Sequence, residues 1–124
     1  MNEKSYDVII AGGGPAGLTA GIYTGRQRLS TLVLEKAGCG GWPVITGIIE
    51  NYPGFPEGIQ GADLSARFKE QSEKFGAEIR EFEAVTGVKP FSEENEIESS
   101  RHRYRCRSLI IAAGSRDRKL GIPG

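Results

Sequence analysis

The pattern of the first 35 residues restricts the fold more than any other feature of this chain. An apolar run leads into a Gly-x-Gly-x-x-Gly motif over Gly12–Gly17, and a helical segment, a second apolar run and the acid Glu35 follow. The glycine motif alone is weak evidence, but this complete order is typical of a dinucleotide-binding βαβ unit. The sequence therefore predicts an α/β fold of the Rossmann type, with three layers and a parallel sheet.

The three glycines of the motif have different expected roles. Gly12 permits a tight turn, Gly14 lets the backbone approach a pyrophosphate, and Gly17 lets the helix pack closely on the strand. The phosphates then lie on the unpaired N–H groups at the helix start, where the helix dipole contributes about half a positive charge.

Glu35 extends this prediction to the sugar of the ligand. It lies 18 residues after Gly17 (35 − 17), close to the roughly 20 residues at which an acid can bind an adenosine ribose. A carboxylate at this place repels a 2′-phosphate, which argues against NADP. The motif therefore predicts a site for the ADP half of a dinucleotide.

Composition excludes several classes of partner. The 124 residues allow at most one domain, and 16 acidic and 16 basic residues leave no net charge to attract nucleic acid or an anionic membrane. No segment approaches the ~20 apolar residues of a membrane span, and the N-terminus lacks a signal-peptide pattern. We expect a cytoplasmic protein with no nucleic-acid and no membrane partner.

The two cysteines form no recognisable redox or metal motif. Cys39 and Cys106 are 67 positions apart (106 − 39), so neither a C-x-x-C dithiol nor a zinc spacing is present. We interpret them as unrelated thiols. A functional role for Cys39 stays open, because this residue lies in the glycine-rich loop after Glu35.

Residue patterns predict the remaining elements. Helices are expected over 15–28 and 62–75, a third parallel strand over 78–80, and a closing parallel strand over 109–114. Three short strands over 84–89, 96–99 and 103–106 are expected to form an antiparallel meander that serves as the crossover. Residues 37–58 show no helix or strand pattern, and we interpret them as a wall around the distal half of the cofactor or as an ordinary packed connector.

The meander carries acids on one strand and arginines on the next. A turn near residues 99–102 would place Glu98 opposite Arg103 and Glu96 opposite Arg105. We interpret these residues as exposed ion pairs rather than as a nucleic-acid patch, since the acids neutralise the arginines. His102 has no obvious partner nearby in the sequence and is interpreted as a surface turn residue.

Several segments together resemble the N-terminal FAD-binding segment of bacterial and archaeal thioredoxin reductases. The resemblance spans essentially the whole chain, and its most specific parts are E-N-Y-P-G-F at 50–55 and the closing segment at 110–124. The other matching segments lie at 6–17, 32–36, 40–41 and 75–78.

The resemblance implies FAD as the cofactor and assigns residues to each part of it. The pyrophosphate would lie on the glycine motif, namely on Gly12, Gly14, Pro15, Ala16 and Gly17. The ribose would contact Glu35 and Lys36, and the adenine would contact the backbone of Val85. The flavin half and the opposite side of the cofactor would contact Gly40, Gly41, Trp42, Asn51, Ala113 and Gly114.

The chain departs from the family pattern in three places. Trp42 stands where the family usually has Gln, and an indole can donate one hydrogen bond but cannot accept one. Ala113 replaces the usual Thr. The sequence stops at Gly124, where the family continues with a nicotinamide domain carrying a C-x-x-C dithiol, followed by a segment that returns to complete the FAD domain.

These observations lead to one main expectation and two alternatives. We expect residues 1–124 to be an incomplete FAD-binding domain of a thioredoxin-reductase-type oxidoreductase, with NADPH bound only by the part not present. No catalytic residue and no metal ligand is assigned within it. A homodimer, or a partner chain that completes the FAD domain, and a thioredoxin-like disulfide substrate are the expected partners. The alternatives are a flavin-binding module without its own reductase cycle, and a related flavoenzyme that uses ferredoxin or quinone.

Overall fold

The computed structural model describes residues 3–116 and 118–123. Its main element is a six-stranded sheet. In chain order the strands of this sheet are β1 (Lys4–Ala11), β2 (Thr31–Leu34), β5 (Glu78–Arg80), β6 (Val85–Lys89), β7 (Asn95–Ser99) and β8 (Arg103–Ile111). The helices are α1 (Pro15–Arg26), α2 (Trp42–Ile45) and α3 (Gly61–Lys74), and the short strands β3 (Ile48–Ile49) and β4 (Ile59–Gln60) pair with each other.

The sheet has the order β5-β2-β1-β8-β7-β6 and combines two kinds of pairing. β1 pairs in parallel with β2 and with β8, and β2 pairs in parallel with β5. The β6-β7-β8 half is antiparallel. Parallel strands are normally covered on both faces, and all four residues of β2 are indeed buried.

Each face of the central strands packs against a different layer. On one face Val8, Ile10 and Val33 form a buried cluster against which Ala20 of α1 packs. On the other face Ile9 and Leu32 belong to a cluster that includes Ile97 from β7. The antiparallel end of the same sheet therefore folds over this face and forms the third layer, and the three-layer α/β fold expected from the sequence is confirmed.

The antiparallel meander differs from its prediction mainly at its last strand, since β6 and β7 each begin within one residue of the predicted start. The strands expected at 103–106 and 109–114 are a single strand, β8, which ends at Ile111. Arg107 and Ser108 interrupt the apolar pattern because they are exposed, yet the ladder continues through them and Val8 pairs with Ser108. One strand therefore serves both the parallel and the antiparallel half of the sheet.

The helix ends lie close to their predicted positions. α1 stops at Arg26 rather than at residue 28, because Arg28 has a φ of 60° and its N–H bonds to Gly25 O instead of continuing the helix. α3 begins and ends one residue before its predicted bounds.

The expectation that residues 37–58 contain no regular element was wrong. This segment includes α2 and β3, and Gly61 N donates to Gly47 O to join the segment to the start of α3. A four-residue helix and a two-residue strand are too short to produce a sequence period, so tertiary contacts decide their conformation.

The predicted register of the charged strands is confirmed. Glu96 pairs with Arg105 and Glu98 pairs with Arg103 across β7 and β8. The ion contacts are only partly those expected: Arg103 lies 3.9 Å from Glu98, whereas Arg105 lies 2.8 Å from Glu3. These side chains are substantially exposed, so each pair contributes at most about 1 kcal/mol.

Among the described residues, no helix has the length and apolar character needed to cross a bilayer.

Candidate dinucleotide site

The first glycine turn is sterically closed to any larger residue. Gly12 has a φ of +119°, and a Cβ atom there would lie 1.9 Å from the O atom of Ala112, the residue that follows β8. Gly17, one turn into α1, is equally restricted, since its Cβ would lie 1.8 Å from Gly12 O. The two positions thus have the geometry expected of them, with Gly12 forming the turn and Gly17 allowing close contact between helix and strand.

Gly14 differs because its surroundings are open. It is the N-cap of α1, and a Cβ at this position would meet only Gly41 Cα, at 3.8 Å. Leu18 N donates to Gly14 O as the first bond of the helix, so the amides of Ala16 and Gly17 have no acceptor within α1. The first turn contains no acid. Open space at Gly14, N–H groups that have no acceptor within α1, and a first turn that contains no acid make this end of α1 suitable for a phosphate.

Glu35 joins the glycine turn to the loop that follows β2. Its Oε1 accepts a hydrogen bond from Gly13 N at 3.1 Å, and its Oε2 accepts one from Ala37 N at 2.6 Å. Each carboxylate oxygen has about two lone pairs, so both retain capacity for ligand hydroxyls. The acid is therefore fixed beside the turn and still able to bind a sugar.

A cavity of about 250 Å³ opens beside Glu35. Its lining comes from four separate segments of the chain: Ala11, Gly12, Leu34, Glu35, Lys36, Ala84, Val85 and Ala113. Five residues predicted from the sequence are among them, namely Gly12, Glu35, Lys36, Val85 and Ala113. A larger cavity of about 560 Å³ lies at the Ser99–Arg103 turn, but none of the predicted site residues line it.

The residues assigned to the flavin half are only partly brought together. Gly40 N donates to Gly13 O at 2.9 Å, and a Cβ on Gly41 would lie 3.5 Å from Gly14 Cα. Both glycines have positive φ angles, +129° and +61°, which favour glycine. The 40–41 turn therefore packs directly on the glycine turn before α1.

Trp42, Asn51 and Gly114 lie farther from the cavity lining. Trp42 begins α2, is half-exposed, and donates from Nε1 to Ser115 O at 3.2 Å. Gly114 is exposed with a φ of +72°. Asn51 is exposed in the loop between β3 and β4, and it does not line the 250 Å³ cavity.

The comparison with protein families identifies the kind of chain that carries this site. The model of the pyridine nucleotide-disulphide oxidoreductases matches residues 6–124. The chain belongs to this family. The resemblance to thioredoxin reductases, expected most specifically from E-N-Y-P-G-F at 50–55 and from the closing segment at 110–124, is confirmed by the relatives described next.

Individual members of the family match over nearly the whole chain. The thioredoxin reductase of Bacillus subtilis is 45% identical over 122 residues, which cover 98% of this chain and 38% of that protein. The crystal structure of the Lactococcus lactis thioredoxin reductase has a TM-score of 0.90 at 43% identity, covering 96% of this chain and 39% of that one. The T. acidophilum enzyme gives a TM-score of 0.91 at 34% identity, with 98% and 40% covered. The chain thus spans about two-fifths of the length of these relatives.

This pyridine nucleotide-disulphide oxidoreductase chain also contains a contact that the sequence did not reveal. Glu81, just after β5, forms an ion pair with Lys69 of α3 and accepts a hydrogen bond from Cys39 N at 3.3 Å. The pair connects α3 to the loop that leads into Gly40. No short motif marks Glu81, so only the fold could reveal it.

The structure gives Cys39 a packing role. A Cβ on Gly13 would lie 2.8 Å from Cys39 Sγ, so the thiol packs against the glycine turn. Burial, together with the nearby Glu81 carboxylate, raises the pKa of Cys39 to about 12. The thiol is therefore protonated at neutral pH and is a poor nucleophile. In the parts of the chain that the structure describes, no cluster of three or more His, Cys, Asp or Glu side chains could hold a metal ion.

Proposed function

We propose that this chain binds FAD as the FAD-binding part of a thioredoxin-reductase-type oxidoreductase. The observation that carries the proposal is the 250 Å³ cavity, which Gly12, Glu35 and Val85 line together at the glycine turn that leads into α1. These residues come from three distant segments, and the ADP half of a dinucleotide requires a phosphate site, a ribose site and an adenine site together.

The site fits the ADP half in size and in chemistry. Ligand pockets for whole drug-sized molecules measure roughly 300–1,000 Å³, so a cavity somewhat smaller than this suits a single nucleoside. The open position at Gly14 leaves room for the phosphates at the helix start. The Glu35 carboxylate suits a ribose with free hydroxyls and repels a 2′-phosphate, which favours FAD over NADP.

In this proposal the residues of the chain bind and orient the cofactor. The amides of Ala16 and Gly17 hold the pyrophosphate, Glu35 with Lys36 holds the ribose, and the backbone of Val85 lies along the adenine. The flavin half extends past Gly40, Gly41 and Trp42, with Asn51, Ala113 and Gly114 assigned to it by resemblance. When bound, FAD supplies the hydride and electron transfer, and we assign no acid, base or nucleophile to this chain.

The activity of the whole protein is a broader proposal. By similarity to the thioredoxin reductases, we propose that NADPH is the electron donor and that a thioredoxin-like disulfide is the substrate. A homodimer, or a partner chain that completes the FAD site, is the proposed assembly. Two free cysteines, Cys39 and Cys106, are compatible with the reducing cytoplasm, where we propose that the protein works.

Binding of FAD and ADP to Glu35 variants tests the cofactor assignment. Glu35→Ala removes the ribose acceptor, whereas Glu35→Gln keeps one acceptor oxygen and removes the negative charge. We expect Glu35→Ala to weaken ADP about tenfold or more, because hydrogen bonds to a charged group typically contribute about 1.5–3 kcal/mol. The matched control is Glu57→Ala, an exposed acid in the loop between β3 and β4.

Titration calorimetry with ADP and 2′,5′-ADP completes the test. Wild type should prefer ADP, and Glu35→Gln should reduce this preference because the repulsion of the 2′-phosphate is lost. If Glu35→Ala binds ADP as tightly as Glu57→Ala does, the ribose assignment is wrong. If FAD and ADP fail to bind to the wild-type chain, the proposal is wrong as a whole.

Trp42 favours a second candidate, a related flavoenzyme that receives electrons from ferredoxin or quinone. The Trp42 indole replaces the amide that the family usually presents near the flavin, and its only donor is already bonded to Ser115 O. This changes the polar environment proposed for the flavin. Reduction of the FAD-loaded protein by NADPH and by reduced ferredoxin, compared in wild type and Trp42→Gln, distinguishes the two electron donors.

A further inference from the structure

Glu83 is a buried carboxylate that the proposed cofactor contacts do not use. It is only 2% exposed, and it lies between β5 and β6. Its Oε1 accepts hydrogen bonds from Ser99 Oγ at 2.6 Å and from Tyr104 Oη at 2.7 Å, and His102 Nδ1 lies 3.0 Å from the same oxygen. We call Glu83 with Ser99, His102 and Tyr104 the Glu83 clamp.

The charge of Glu83 is maintained by these contacts. Burial alone would raise the pKa of this carboxyl group, but the hydrogen bonds from Ser99, His102 and Tyr104 outweigh burial and hold its pKa below the usual value. The clamp therefore contains a buried anion, and charge-assisted hydrogen bonds are stronger and shorter than neutral ones. A buried anion with several donors has strict positional requirements.

The backbone on either side of Glu83 belongs to the candidate site. Glu83 N donates to Glu35 O at 2.9 Å, which connects the clamp directly to the proposed ribose residue. The next two residues, Ala84 and Val85, line the 250 Å³ cavity, and we call them the Ala84–Val85 wall.

The Ala84–Val85 wall is also hydrogen-bonded to the Ser99–His102 turn, which contains two residues of the Glu83 clamp. Ala84 N donates to Ser100 Oγ at 3.1 Å, and Ser100 N donates to Ala84 O at 2.8 Å. The Ser99–His102 turn is itself closed by amides that donate to Ser99 Oγ, the one from His102 at 2.9 Å. The clamp, the turn and the wall thus form one continuous hydrogen-bonded unit.

We propose that Glu83 is a positioning residue for the adenosine half of the ligand. By accepting from Ser99, His102 and Tyr104, it fixes the Ala84–Val85 wall at the distance from Glu35 that a nucleoside requires. This inference depends on the proposed function, because the proposed function is what identifies adenosine as the ligand of the Ala84–Val85 wall. The effect of Glu83 on the ligand acts through the backbone of the wall and through its bond to Glu35 O.

Variants of the full chain separate positioning from general stability. Glu83→Gln removes the charge while keeping nearly the same shape, and Tyr104→Phe removes one donor while keeping the ring that packs edge-on against Tyr6, 6.1 Å away. The matched control is Glu98→Gln, an exposed acid on β7 whose ion contact with Arg103 is 3.9 Å long. ADP affinity is measured by calorimetry at a temperature where each variant is fully folded.

Amide hydrogen exchange without ligand provides the second readout. In Glu83→Gln we expect faster exchange at Ala84, Ser100 and His102, with unchanged exchange along β1 and α1. We expect ADP to bind about tenfold more weakly to Glu83→Gln than to wild type. The loss of ADP affinity should be smaller in Tyr104→Phe, and the affinity of Glu98→Gln should equal that of wild type.

Each outcome decides between the possibilities. A Glu83→Gln variant that melts at a lower temperature but binds ADP as wild type does would show that the clamp is only structural, and the inference would be wrong. Uniformly faster exchange over the whole sheet would overturn it as well. Absence of ADP binding to the wild type is a different failure, since it refutes the proposed function on which this inference depends.

Discussion

Gly17→Ala provides the most direct test of the geometry of the glycine turn. In a helix, Ala is ordinarily about 1 kcal/mol more favourable than Gly, so the substitution would be stabilising at an open site. Here the added Cβ would lie 1.8 Å from Gly12 O, whereas ordinary contacts begin near 3.4 Å. The carbonyl cannot easily retreat, because Gly12 N is bonded to Leu34 O at 2.9 Å.

The net effect on stability follows from these two opposing contributions. Overpacking a closed contact costs about 1–3 kcal/mol and occasionally more, and a backbone atom is among the least able to move. We therefore expect Gly17→Ala to lower the free energy of unfolding by about 2 kcal/mol. For a chain of this size, this corresponds to roughly 8 °C in the melting temperature.

Urea unfolding followed by circular dichroism measures this loss, with Gly47→Ala as the control. No atom lies within 4 Å of a Cβ at Gly47, so that variant should be as stable as wild type or slightly more stable. In the folded fraction, Gly17→Ala should also bind ADP more weakly, since α1 must shift away from the turn. Equal stability of the two variants would refute the steric argument.

Two further predictions concern the stability of the protein at acidic pH and the effect of removing a buried hydroxyl group. The pKa values of Glu78, Glu81 and Glu83 all lie below the usual glutamate value of 4.5, because hydrogen bonds to each carboxylate outweigh its burial. The contribution of these three carboxylates to stability is therefore complete above pH 4.5, and it is lost as the pH falls through their lower pKa values in the folded state. Urea unfolding should show a free energy of unfolding that decreases in acid. This decrease should be shallower in Glu83→Gln, because one of the three carboxylates is removed. Ser72 Oγ is buried and has no hydrogen-bond partner among the described residues, so Ser72→Ala should raise the free energy of unfolding by about 1 kcal/mol. Ser65→Ala removes a contact to Gly40 O and should not raise the free energy of unfolding. An equal gain in stability in both variants would contradict this explanation.

Local chemistry made much of the fold predictable. Glycine spacing, the acid after β2 and continuous apolar runs each have a short-range cause, and they indicated β1, α1, β2 and the parallel sheet correctly. The register of β7 and β8 could be predicted because alternation fixes which side chains face each other. Glycine spacing placed Gly12 and Glu35 near one ligand, and the resemblance to thioredoxin reductases assigned Val85 to the same ligand; these three residues line one cavity.

The parts that the sequence did not reveal depend on distant contacts. His102 has no acidic partner close in sequence, but the fold places it against Glu83, which is 19 residues away. Glu81 reaches Cys39 across 42 residues. Neither contact leaves a period or a motif, because the two members of each pair are brought together only when the sheet and the loops assemble.

The continuity of β8 has a mechanical consequence. Its first residues hydrogen-bond to β7 on one side, while the whole strand also bonds to β1 on the other. If the meander rotated as a separate lobe, the hydrogen bonds between β8 and β1 would have to break. The Ala84–Val85 wall of the cavity and β1, which leads into the glycine turn, are thus linked through one continuous sheet. We therefore expect motion on ligand binding to be confined to the loops at the proposed flavin end.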